Sequence, residues 1–352
     1  MKSIINLRIF FELIFILISL IAIWQGELIL YGLAQGKGQL NIIFNTRPIN
    51  KILKDPSFPD SLKNKLILIQ EVKKFAIDSL GLNFSENYNT FYNQKGKTLL
   101  WVLTASEPYR LKAKEWNFPL LGNVSYKGFF VKQKAQEEER KLKMDNYDTD
   151  IGIVSGWSTL GWFKDPVLSN MLTKSESALV NLIIHELTHG TLYIKDNVSF
   201  NENLAGFIAE IGTVKFLENK YPSRNIKQDN FIEIYKQNNK EKEIINTYFL
   251  NCSTRLDSLY KTFNENDSLQ FKEKAKHEML FNIVKGLYLL PVKNKEKSPY
   301  LGKRILLEKN AFFISFLSYQ SKQDFFEKEY KESFNSDIKK YMTFLKKKYP
   351  SI

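Results

Sequence analysis

The stretch from residue 174 to residue 222 constrains the fold of this chain more than any other. It reads as two helices joined by a short turn. Leu179, Val180, Ile183, Ile184 and Leu187 recur at helical spacing and form an apolar face on the first helix, expected over roughly 174–193. A second helix is expected over 201–220, stopped by Pro222. Each helix opens on a candidate capping box: Thr173 with Glu176, and Ser199 with Glu202. Short connections favour antiparallel neighbours, so the start of the second helix is brought close to the end of the first. A buried helix pair of this kind holds any polar groups it carries on rigid supports.

The polar groups it carries are unusual. The chain has 3 histidines, and two of them, His185 and His189, stand four residues apart in "HELTH". On a helix, positions i and i+4 share one face, so two imidazoles at that spacing can bind one zinc ion. Glu186 sits about 100° round the helix from His185, where a carboxylate can act as general base on an attacking water. The expected number of chance HExxH matches in a chain so poor in histidine is ~0.003, so the pattern is read as a site and not as polar decoration of an amphipathic helix.

Two histidines leave a zinc ion short of a third protein ligand. His277 lies in "EKAKHEML", among charges on the exposed side of a helix. Asp196 would have to reach back from the turn. Glu202, in "NENLAGF", opens the second helix 13 residues after His189 and is the favoured ligand, with Glu210 in reserve. Glu202 has a competing role, because it also occupies the third position of the Ser199 capping box, and one carboxylate cannot serve both fully.

Elsewhere the chain mixes helices with a few strands, which gives an α+β, mainly helical fold class. Two helices with a break around Pro56 to Pro59 are followed by a strand at 97–105. An aromatic, glycine-containing stretch with a short strand at its end (116–131) and a charged helix ending in "EEERKLKMDN" come next. "TDIGIVSGWSTLGWF" runs from a strand into a Gly- and Trp-containing loop that could pair with an extended peptide. After the site core, about 151–222, residues 223–352 read as mostly helical. The lone cysteine, Cys252, excludes an internal disulfide and a cysteine zinc site, and its spacing with Phe249, Leu256 and Leu259 makes it a small core residue. The net charge of +13 comes from lysines interleaved with glutamates and no nucleic-acid motif accompanies it, so no nucleic-acid partner is expected.

The N-terminus is apolar. Ile4 to Trp24 would span ~30 Å as a helix, one hydrocarbon core, with Lys2 and Arg8 before it. No small-residue cleavage site follows, so residues 1–33 are expected to form an uncleaved signal anchor. Residues 34–352 form one domain behind it. The basic start favours a cytoplasmic N-terminus and an extracytoplasmic body, periplasmic or in the cell envelope.

Several stretches resemble a known family. HExxH followed by a helix beginning Asn-Glu resembles the gluzincin metallopeptidases. "YGLAQGKGQL", "RPI", "WNFPLLGNVSYKGFF", "STLGWFKDPVL", "HELTHGTLYIKDNVSFNENLAGF" and "KNAFFISFLSY" resemble, in order, the bacterial family described as predicted or putative aminopeptidases, often lipid- or membrane-anchored. The resemblance implies a zincin-like fold, one Zn²⁺ held by His185, His189 and Glu202, Glu186 as the base, and a peptide substrate. Many relatives carry a lipid-attachment cysteine near the N-terminus, and this chain does not. Where the thermolysin-like pattern places a carboxylate four residues after the ligand Glu, this chain has Gly206, so the group that orients His185 lies elsewhere. A donor for the oxyanion is also expected. Tyr319 is the first candidate because it ends a matching stretch, followed by Tyr193 and Tyr126. A membrane-anchored zinc aminopeptidase is the function this implies. The alternative is an envelope binding or structural protein whose metal site is not catalytic.

Overall fold

The computed structural model describes residues 25–118, 122–153, 164–221, 226–293, 309–320 and 323–351. The chain divides into two compact units, Met1–Thr46 and Arg47–Ile352. In the first, the described part is helix α1 (Gly26–Phe44). The apolar run to Trp24 lies outside the described residues, and among the described residues no helix is long and apolar enough to cross a membrane. A short strand, β1 (Thr46–Pro48), falls at the division.

The second unit is α+β and mainly helical. The break expected around the prolines is present: α2 (Ile49–Leu53) ends before it and α3 (Asp60–Leu80) begins directly after Pro59. Leu66, Ile69, Val72, Ala76 and Leu80 make the buried stripe of α3, and Gly81, in the left-handed conformation at φ 76°, ends it. Strands β2 (Thr90–Tyr92), β3 (Trp101–Ser106), β4 (Trp116–Phe118), β5 (Gly122–Val124) and β6 (Tyr126–Phe129) follow. Then come α4 (Lys132–Met144), β7 (Asp148–Ile153) and β8 (Val167–Leu168). The strands form small sheets. One is antiparallel in the order β6-β3-β7, with Leu103 opposite both Lys127 and Ile151, and β4 pairs with β5. β2 pairs with β8 in parallel, Phe91 against Val167. The Gly- and Trp-containing loop after β7 lies outside the described residues.

β8 leads into the site helix. Gln94 fixes the approach: its side-chain oxygen accepts from Asn170 N at 2.9 Å, and its own N–H donates to Ser169 Oγ at 2.9 Å. Two helices follow, α5 (Glu176–His189) and α6 (Val198–Lys220), the pair expected from the periodicity. Neither expected capping box forms. Ser175 caps α5, accepting from Ala178 N, because Thr173 is drawn into a 3₁₀ turn and donates to Asn170 O at 2.8 Å. Asn197 caps α6, accepting from Phe200 N at 3.2 Å. Serine, aspartate and asparagine cap with similar strength, so neighbouring candidates are separated by how the chain enters the helix.

Helices α5, α6 and α3 pack around one core that includes Leu80, Ile183, Ile184, Leu187, Leu204 and Ile208. Gly212 on α6 permits the close approach. A Cβ there would stand 2.7 Å from Leu80 Cδ1 and 3.0 Å from Ile184 Cδ1. Both are flexible side-chain tips, so Gly212→Ala is expected to be near neutral, its ~1 kcal/mol gain in helix propensity offset by repacking. Gly212→Val should instead lower stability by ~1–3 kcal/mol, read as a fall in the denaturant midpoint at unchanged slope.

A second core joins α7 (Ile226–Lys261), α8 (Leu269–Leu287) and α9 (Asn310–Gln320) through Phe249, Cys252, Leu256, Leu280, Ile283 and Phe313. Cys252 is the small buried residue its spacing indicates. Two further helices, α10 (Gln323–Phe334) and α11 (Ile338–Lys348), close the chain and contribute Phe326, Tyr341 and Met342 to the first core.

Candidate metal centre

The helix pair delivers three donor atoms to one point. His185 and His189 lie one turn apart at the end of α5, and their Nε2 atoms are 3.2 Å apart. One oxygen of Glu202, Oε2, lies 3.4 Å from the first and 3.5 Å from the second. His189 and Glu202 are buried, and His185 is half-buried. Among the described residues this is the one group of three or more His, Cys, Asp or Glu side chains able to hold a metal ion.

The turn between the helices makes the convergence. Asn201, itself buried, clasps it with two bonds: Oδ1 accepts from Ile194 N at 2.8 Å, and Nδ2 donates to Ile194 O at 2.8 Å. Asp196 sits at φ 59°, a left-handed conformation that aspartate tolerates better than most residues. Its carboxylate accepts from Asn123 N at 2.5 Å and so ties β5 to the turn. The neighbouring Gly122 must be glycine: it has φ 74°, and an added Cβ would stand 1.9 Å from Asp196 Oδ1. Sequence reasoning missed Asn201 and its clasp. The signal available was an asparagine just inside a helix start, next to a turn, where short polar side chains compete for backbone bonds.

Glu202 does not cap its helix, since Asn197 does, and its carboxylate faces both imidazoles. His277 is exposed on α8, Asp196 is occupied with Asn123, and Glu210 pairs with Lys242 at 2.5 Å; none joins the group. Tyr193 packs edge-on against His189, ring centroids 5.9 Å apart. Tyr126 lies in β6 opposite Thr104. Tyr319 belongs to α9, and its side chain is outside the described residues.

The electrostatics suit a cation. Burial opposes ionisation of Glu202, but the charges of His189 and His185 and hydrogen bonds from both rings outweigh it and hold the carboxyl well below the usual range. Burial likewise works against the charged form of His189, yet Glu202 and Glu186 outweigh it and push its pKa up. Glu186 behaves oppositely to Glu202. Burial raises its pKa, Glu202 raises it further, and His185 and His189 only partly offset this. No hydrogen bond ties down the Glu186 carboxylate among the described residues.

The donor set fits a small divalent ion. Two imidazole nitrogens and one carboxylate oxygen are the usual protein ligands of an open zinc site, and bonds of ~2.1 Å in a tetrahedron put neighbouring donors ~3.4 Å apart. The three separations found, 3.2, 3.4 and 3.5 Å, lie close to that edge.

One family model, described as "Putative aminopeptidase", matches residues 30–348, from within α1 to the last residue of α11. The chain belongs to this putative aminopeptidase family. No curated protein and no solved structure matches it. The matched span contains His185, Glu186, His189, Glu202 and the Asn201 clasp. In this family member Gly206 has no side chain to orient His185, and the buried His189 Nδ1 has no hydrogen-bond partner among the described residues.

Proposed function

We propose that this chain is a zinc-dependent aminopeptidase of zincin-like architecture. The observation that carries the proposal is the triangle of His185 Nε2, His189 Nε2 and Glu202 Oε2 with the untied Glu186 carboxylate beside it. His185, His189 and Glu202 would hold the ion, which when bound would polarise the scissile carbonyl and the attacking water. Glu186 takes the proton of that water and returns it to the leaving amine. No hydrogen bond among the described residues ties this carboxylate to another group, which leaves it available to the water. Tyr319, or Tyr193 beside His189, donates to the oxyanion. The apolar run to Trp24 anchors the enzyme, with its body outside the cytoplasm.

Exopeptidase action rests on the family description. The test offers the zinc-loaded protein free and N-blocked forms of one peptide. Release of the N-terminal residue from the free form alone is the expected result. Cleavage of the blocked form at internal bonds overturns the aminopeptidase reading. Stoichiometric zinc with no hydrolysis of either form overturns the enzyme reading and favours a non-catalytic metal site.

A further inference from the structure

Two of the three donors lie where helices are weakest. His189 is the last residue of α5, and Glu202 stands near the start of α6. Helix ends fray, and their terminal backbone groups have no partner within the helix. A metal centre needs its ligands held to within about 0.5 Å, so the turn between the two helices has to be braced from outside.

Part of the brace is local. Gly190 N, Thr191 N and Leu192 N donate back into α5, and Ile194 N donates to Asn201. Tyr193 N is satisfied from elsewhere in the chain. It donates to Ser351 Oγ at 3.0 Å, and the same hydroxyl lies 3.5 Å from Tyr193 O. Ser351 belongs to the segment that follows α11. That segment also bears on the second helix. Tyr349 packs against Phe200, ring centroids 4.7 Å apart, and Phe200 lies on α6 just before Glu202. α11 adds a third arm: Lys346 Nζ donates to Asn83 Oδ1 at 3.1 Å, and Asn83 N donates to Thr191 Oγ1 at 3.0 Å. The contacts thus fall on both sides of the turn. Tyr193 carries one of them to the donor group, because its ring lies edge-on to His189.

We propose that the segment Tyr349–Ser351 is a strap across the turn, with Ser351 and Tyr349 as positioning residues for His189 and Glu202. The proposal rests on the reading of His185, His189 and Glu202 as metal ligands. Ser351 fixes Tyr193 and, through its ring, the imidazole of His189. Tyr349 fixes Phe200 and with it the start of α6. Neither strap residue belongs to the donor group, so the strap acts on how tightly, and in what geometry, an ion is held.

The test compares the full chain with its Tyr349→Ala/Ser351→Ala double variant. The zinc dissociation constant, measured in competition with a chelator, should rise about tenfold, the lower end of what ligand-orienting groups are worth. Cobalt(II) loaded in place of zinc should show shifted visible bands, since these report ligand geometry. The metal-free Tm should fall by only a few degrees, as for the loss of one aromatic pair. Tyr349→Phe/Ser351→Thr keeps the ring and the hydroxyl and should restore both metal readouts. Cys252→Ala, in the second core, lowers Tm away from the turn and should leave both readouts unchanged. Unchanged zinc affinity and cobalt bands in the double alanine variant overturn the proposal. So does an equal loss of zinc affinity in Cys252→Ala, which makes the effect one of global stability. If the double variant does not fold, Ser351→Ala alone decides, because it removes one hydroxyl from an exposed residue; unchanged metal readouts there overturn the proposal too. A wild-type chain that binds neither zinc nor cobalt overturns the metal centre and the strap with it, whereas equal zinc binding by wild type and variant overturns the strap alone.

Discussion

Glu186→Gln is expected to lower kcat for peptide hydrolysis by roughly 10²–10⁴-fold while zinc content and Tm stay as in the wild type. The amide has the shape of the carboxylate and cannot accept the proton of the attacking water. Glu186 is not one of the three converging donors, so the cluster should still hold its ion. Zinc by elemental analysis, Tm by calorimetry and kcat on one peptide separate these effects. Loss of zinc together with activity would make Glu186 a ligand, and unimpaired hydrolysis would remove it from the mechanism.

Glu202→Ala is expected to weaken zinc binding by more than ~100-fold, since even groups that only orient a ligand are worth 10–100-fold. By linkage, at a fixed excess of zinc the metal's contribution to stability falls by roughly 2.7 kcal/mol for that loss. The metal-free variant should not lose the stability of a capping residue, because Asn197 caps α6. The experiment therefore separates the two roles open to Glu202 in the sequence. A zinc-induced rise in Tm that vanishes in the variant, with a metal-free Tm near that of the wild type, is the metal result. A large fall in the metal-free Tm with zinc binding retained would be the capping result.

Much of the site was legible because it is local. Helical geometry alone puts His185 and His189 on one face and Glu186 beside them, whatever the rest of the chain does. The apolar spacing of α5 and of the helix carrying Cys252, and the break at Pro56 to Pro59, are readable for the same reason. The caps were not. Thr173 and Ser175, and Ser199 and Asn197, are chemically close alternatives two residues apart, and the path of the preceding chain chose between them.

The sequence by itself determined two imidazoles and a carboxylate on one helix, a second helix close behind, and family membership consistent with both. Only the tertiary structure decided that Glu202, and not His277, Asp196 or Glu210, meets the two histidines. That meeting joins residues on different helices. It depends on the Asn201 clasp, on the left-handed turn at Asp196, and on Gly212 letting α6 come close to α5. Spacing along one helix follows from the helical repeat, but a contact between two helices depends on the turn and the packing that join them.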